Sequence, residues 1–163
     1  MKNLFLVLII FLGGVVTSQA QDYNSAIGLR LGYPTSITYK KFVSESNAFE
    51  IYGGLRGIGN GTSIRANAAY LIHNELGDTE RLKWYYGAGV GVAFYRFNNG
   101  FGTGSSNTSL TVSGYIGLEY TLEDVPVSFS LDWNPTYFLG GFGSGFGADG
   151  GALAVRYVLG GGD

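Results

Sequence analysis

The chain has no cysteine, and its 163 residues include only three prolines, one histidine and one methionine. Without cysteine there is no disulfide framework, no Cys/His metal set and no lipid anchor on a cysteine. Stability has to come from packing, hydrogen bonds and ion pairs. Charge is also scarce, at 13% of residues, and its balance is slightly acidic. That excludes the basic footprint expected of a nucleic-acid binder. Beyond residue 20 no stretch is apolar enough for a membrane helix. If the chain enters a membrane, it must do so as a closed barrel.

The first twenty residues read as a secretory signal peptide. Met1-Lys2-Asn3 gives a positive start, Leu4 to Val16 is apolar apart from Gly13 and Gly14, and Ser18-Gln19-Ala20 is a small-x-small cleavage site. The run is too short for a comfortable membrane span. The expected organisation is therefore a signal peptide over 1–20 and one barrel domain over 21–163. Of the 10 Lys+Arg, Lys2 leaves with the leader, so 9 face 12 Asp+Glu and the mature net charge is −3.

What the chain has in quantity is glycine (28 residues) and aromatics (15%, with 12 tyrosines). Disordered chains are poor in aromatics. The pattern is period two. From Leu82 to Phe94, alternate residues spell Leu82, Trp84, Tyr86, Ala88, Val90, Val92 and Phe94. The residues between them are mostly small. Such alternation predicts a strand with two different surroundings. Eight such strands are predicted, over 25–33, 35–43, 47–56, 62–73, 82–96, 109–122, 125–138 and 150–159. Pro135 lies inside the seventh, which predicts a bulge or strand end there.

The charges sort by face. Arg30, Lys40, Glu50, Arg56, Arg65, Lys83, Glu119, Asp132 and Arg156 all fall opposite the apolar face. Lys41 and Arg96 fall on the apolar face near strand ends, where their stems can snorkel. A lysine or arginine facing lipid at mid-membrane costs about 2–4 kcal/mol, and the sorting is what that penalty predicts. A soluble barrel binding an apolar ligand would reverse it. The predicted fold is all-β: a closed, antiparallel, eight-stranded up-and-down transmembrane β-barrel.

The links alternate as well. Those after the second, fourth and sixth strands (44–46, 74–81 and 123–124) are charged. The third, fifth and seventh (57–61, 97–108 and 139–149) are glycine-rich and nearly uncharged, and the first is only a turn at Pro34. With the N-terminus in the periplasm, the odd links face outward.

Four stretches carry a family likeness: Ala26 to Pro34, Trp84 to Gly91, Gly117 to Tyr120, and Val127 to Pro135. The chain resembles the small outer-membrane barrels of the OmpA/OmpX type. More closely, it resembles the porin-like "outer membrane protein β-barrel" proteins of Bacteroidetes. The resemblance implies an outer-membrane location, with lipid around the barrel and the outer-membrane insertion machinery as a partner during assembly. It implies no cofactor and no activity. The C-terminus departs from the pattern, running on from Tyr157 and Leu159 into Gly160 to Asp163 where such barrels end on an aromatic residue.

Inside an eight-stranded barrel there is room only for side chains. Arg30, Lys40, Glu50, Arg56, Arg65, Glu119, Asp132 and Arg156 are therefore expected to form a lumen charge network, with Lys83 at the rim meeting water. The competing reading is a narrow polar channel for small solutes or ions. Tyr52, Tyr85 and Tyr115 should fill space left by inward glycines. Enzymatic readings fare poorly. The lone His73 lies at the periplasmic end of its strand, the wrong end for a His–Ser acyl transferase at the outer leaflet. The glycines of 141–147 open no helix and make no phosphate loop. Phe97, Phe101, Phe142 and Phe146 fall in the outward links, as candidate binding contacts or as residues leaning on lipid headgroups. Asn60-Gly61-Thr62 and Asn107-Thr108-Ser109 match the glycosylation pattern but read as turn residues.

Overall fold

The structure is a computed structural model that describes residues 23–59, 61–77, 79, 81–97, 105–141, 144–148 and 150–161. The expected signal peptide over 1–20 lies outside the described residues, as do Phe101 and Phe142. The described chain is all strand and turn: β1 (Tyr23–Gly32), β2 (Thr35–Phe42), β3 (Asn47–Ile58), β4 (Gly61–Glu75), β5 (Leu82–Phe97), β6 (Ser105–Thr121), β7 (Val127–Trp133), β8 (Thr136–Leu139), β9 (Gly145–Gly147) and β10 (Gly151–Gly161).

These ten strands make eight staves. β7 and β8 are two halves of one stave, and β9 and β10 are two halves of the next. Each sequence-adjacent pair of staves is antiparallel, β5 pairs β6, and β1 pairs β10, so the sheet closes on itself. Over the span where all eight staves pair, closure leaves no free edge, which is what lets a sheet sit in hydrocarbon.

The interruption in the last two staves has a local cause. Pro135 accepts a hydrogen bond from the Gly114 amide at 3.0 Å but has no N–H to return. Across the other edge, Trp133 pairs with Gly151 while Thr136 pairs with Gly147. Between these pairings the register shifts by one residue, the last stave carrying one more residue than its neighbour. The extra residue is a β-bulge, beside the proline that predicts it.

Alternation sets the two faces as expected. Val90, Leu118 and Leu131 point outward, 63%, 45% and 62% exposed. Their neighbours in the sequence, among them Glu119 and Asp132, are buried inside. The soluble-barrel alternative required Arg30, Glu50 and Asp132 on the outside, and all three are enclosed. With an apolar outer wall and charges within, this is a transmembrane barrel. Outward aromatics pair across strands, as where Phe49 meets Tyr70 edge-on at 5.0 Å between ring centres.

Strand limits differ from expectation mainly at the end carrying the odd links, here called the mouth end. β6 begins at Ser105 rather than 109, and β9 occupies part of the expected seventh loop. Their glycine- and serine-rich sequences give no hydrophobic signal, yet backbone pairing continues through them. At the opposite end, Arg81 of the β4–β5 link meets Glu123 of the β6–β7 link at 3.0 Å. This is an exposed pair of small energetic weight.

Candidate functional site

The middle of the lumen is filled by ion pairs to which every stave contributes. Arg30 on β1 donates both terminal nitrogens to the Asp132 carboxylate on β7, one of them to Oδ2 at 2.7 Å. Tyr85 on β5 donates its hydroxyl to the same Oδ2 at 2.7 Å. Arg156 on β10 donates to Glu50 Oε1 on β3 at 2.6 Å and to Ser130 Oγ at 2.7 Å. Thr38 on β2 donates to that Glu50 oxygen at 2.6 Å. Arg30 also lies 3.8 Å from Glu50, which joins the two arginine pairs.

A third pair lies between Lys40 on β2 and Glu119 on β6, on opposite sides of the ring. His73 on β4 joins it, with Nε2 at 3.3 Å from both Lys40 Nζ and Glu119 Oε2. The Lys40 ammonium sits 4.8 Å above the Tyr85 ring, linking this pair to the Asp132 cluster. Above them Tyr52 and Tyr115 share a hydroxyl hydrogen bond at 2.7 Å. Three cations thus face three carboxylates, all nearly solvent-free. Removing one partner of a buried pair typically costs about 3–5 kcal/mol, because the other charge is left stranded.

Glycine makes the space. A Cβ on Gly117 would lie 2.6 Å from the Asp132 Cβ and 2.7 Å from the Tyr85 Cζ. The pair exists because position 117 has no side chain.

Of the eight lumen charges expected from the sequence, the structure brings together Arg30, Lys40, Glu50, Glu119, Asp132 and Arg156. It sets Arg56 and Arg65 apart. Both lie at the mouth end, on the adjacent strands β3 and β4, where Arg56 pairs with Ser63 and Arg65 with Gly54. Neither has a carboxylate partner among the described residues. The Arg56 guanidinium stacks 3.8 Å over the Tyr33 ring, and that of Arg65 sits 5.0 Å over Phe138. They line a cavity of about 480 Å³ together with Tyr95, Phe97, Asn134 and Thr136.

Three expectations change. Lys83 does not meet water at the rim: it is buried, with its ammonium 5.9 Å from the centre of the Phe42 ring. Phe97 is not in a loop but ends β5, partly buried and lining the mouth cavity. Phe146 lies on β9 and points outward, 67% exposed, on the face turned to lipid. The sequence reading missed His73, Thr38 and Ser130 as network members. Their inward parity was visible, but their partners lie 12 to 46 residues away in the chain, on other strands.

No protein-family model matches the chain, and no curated protein matches it. Among solved structures it is similar to Neisserial surface protein A (NspA). That match has a TM-score of 0.62 and 13% identity, covering 83% of this chain and 93% of that one. It is also similar to the N-terminal β-barrel domain of Pseudomonas aeruginosa OprF, with a TM-score of 0.58 and 14% identity, covering 85% of this chain and 100% of that one. At such identities the likeness is one of fold, and that fold is the closed eight-stranded barrel.

Proposed function

We propose that the protein is a non-catalytic barrel of the outer membrane, exported by cleavage of residues 1–20. In this reading it is closed to solutes and acts through its glycine- and aromatic-rich mouth-end links at the cell surface. The observation that carries this is the lumen network. Three cross-lumen ion pairs at bonding distance, backed by the Tyr52–Tyr115 pair, occupy a barrel interior that has room only for side chains. The lipid-facing wall and the resemblance to barrels of the OmpA/OmpX type support the location.

The absence of catalysis rests on the placement of His73. Its ring lies between those of Phe42 and Tyr85, its Nε2 meets Lys40 and Glu119, and it sits at the end away from the mouth cavity. Among the described residues no nucleophile–base pair of the acyl-transfer kind is built there.

Conductance in planar bilayers tests the seal. The purified full-length barrel should give no steps above background, and reproducible steps would favour the narrow-pore reading instead. Because the chain has no cysteine, sidedness can be read with single introduced thiols. Ser144→Cys, at the mouth end, should react with a membrane-impermeant maleimide on intact cells, whereas Glu123→Cys, at the other end, should react only after lysis. The reverse pattern would overturn the surface role.

A further inference from the structure

We propose that the mouth cavity is a binding site for a phosphate-bearing ligand, held by Arg56 and Arg65. The inference goes beyond the surface role and stands on the cavity itself, whichever side of the membrane that end faces. After the three carboxylates of the mid-lumen are matched with Arg30, Lys40 and Arg156, the inward cations that remain are Lys83 at the far end and these two arginines at the mouth. Both are partly buried, and neither has a carboxylate partner among the described residues. Arg65 Nε is shielded from solvent and has no hydrogen-bond partner among the described residues. A buried donor left unmade is costly, and a bound anion would satisfy it. The mouth-end links contribute one charged residue in sequence, Asp149, which lies outside the described residues.

Two guanidinium forks on adjacent strands offer more donors than one carboxylate can accept. A phosphate carries up to two charges and at least three acceptor oxygens, so it can engage both. The volume of about 480 Å³ falls within the range of small-ligand sites. Tyr33 and Phe138, which already hold the guanidinium planes, also supply flat apolar walls for the body that carries the phosphate.

The wall is low on one side of this site. β2 stops pairing with β3 at Thr35–Leu55, and β1 stops pairing with β10 at Gly32–Ala152. Above that level, among the described residues, no strand lies between the β3 edge, which includes Arg56, and the last stave, only the Tyr33-Pro34 turn below. Arg56 leans across this notch onto Tyr33, which is 59% exposed and lines the cavity. A headgroup phosphate of a neighbouring lipid can therefore reach the site from the side, and a soluble phosphorylated molecule can reach it from above. The chemistry is the same for both.

The test is calorimetric titration of the purified full-length barrel in neutral detergent with phenyl phosphate, with phenol, and separately with dihexanoyl phosphatidic acid. Phenyl phosphate should bind saturably at one site while phenol does not. Arg56→Gln and Arg65→Gln should each weaken binding about tenfold, and Arg96→Gln, an outward arginine at the same end, should leave it unchanged. Binding of the phosphatidic acid tighter than phenyl phosphate assigns the site to lipid, and weaker or no binding assigns it to a soluble ligand. If neither phosphate compound binds, or both arginine variants bind undiminished, or Arg96→Gln weakens binding equally, the proposal fails. Heat-dependent electrophoretic mobility reports whether each variant is folded. Should Arg65→Gln not fold, Arg65→Lys keeps the charge but loses the fork, and undiminished binding by that variant overturns the proposal in the same way.

Discussion

The middle of the lumen and its mouth are built from the same kind of residue and end in opposite states. In the middle, Arg30, Lys40 and Arg156 each have a carboxylate within bonding distance, and all six partners are nearly solvent-free. At the mouth, Arg56 and Arg65 rest on aromatic rings beside an open cavity. In the middle, charge is a structural material, held because unpaired charge there is unaffordable. At the mouth the two arginines are only half-buried, and among the described residues neither has a fixed carboxylate partner. An inward arginine is thus not one thing, and its depth decides its role.

The contrast breaks most visibly at Asp132. Asp132→Ala removes both acceptors of Arg30 and the acceptor of Tyr85. Stability should fall by about 3–5 kcal/mol, read from urea unfolding of the barrel in vesicles. A loss below about 1 kcal/mol would put the middle on the same footing as the mouth. One residue earlier the side chain faces the other way, and Leu131→Arg should cost about 2–4 kcal/mol in the same measurement. A neutral result there would mean that this wall does not meet lipid.

Gly117→Ala sharpens the comparison from the packing side. The added methyl presses on Tyr85 and Asp132 and should cost about 1–3 kcal/mol. Combined with Tyr85→Phe, the loss should be less than the sum of the two single losses, since both act on one hydrogen bond. Arg65→Gln should be the smallest effect, within about 0.5 kcal/mol of the parent. A loss as large as that of Asp132→Ala would show that the mouth arginine is part of the structural network after all.

Which residues face inward was legible because the side-chain period of a strand is two and the two surroundings differ sharply. The pairing within the lumen was not. Period fixes a face but not a depth, and depth depends on how far each strand is staggered against the next around the closed sheet. Arg156 and Glu50 are 106 residues apart, and nothing local in either strand names the other. Arg56 and Arg65 therefore look the same in sequence as Arg30. Pro135 did foretell a break in its stave, because a missing donor is a local fact. The strand pieces at 105–108 and 145–147 carried no such mark, being too rich in glycine and serine to alternate.

The one-residue offset between the Trp133–Gly151 and Thr136–Gly147 pairings has one more effect. With two residues there instead of three, Ala148 rather than Gly147 would stand opposite Thr136, and the tip of the last stave would turn over. Phe146 would then swing off the lipid side into the space above Arg65, and the glycines at 145 and 147 would take its place outside. A single additional residue decides whether the top of this barrel is a vestibule or a stopper.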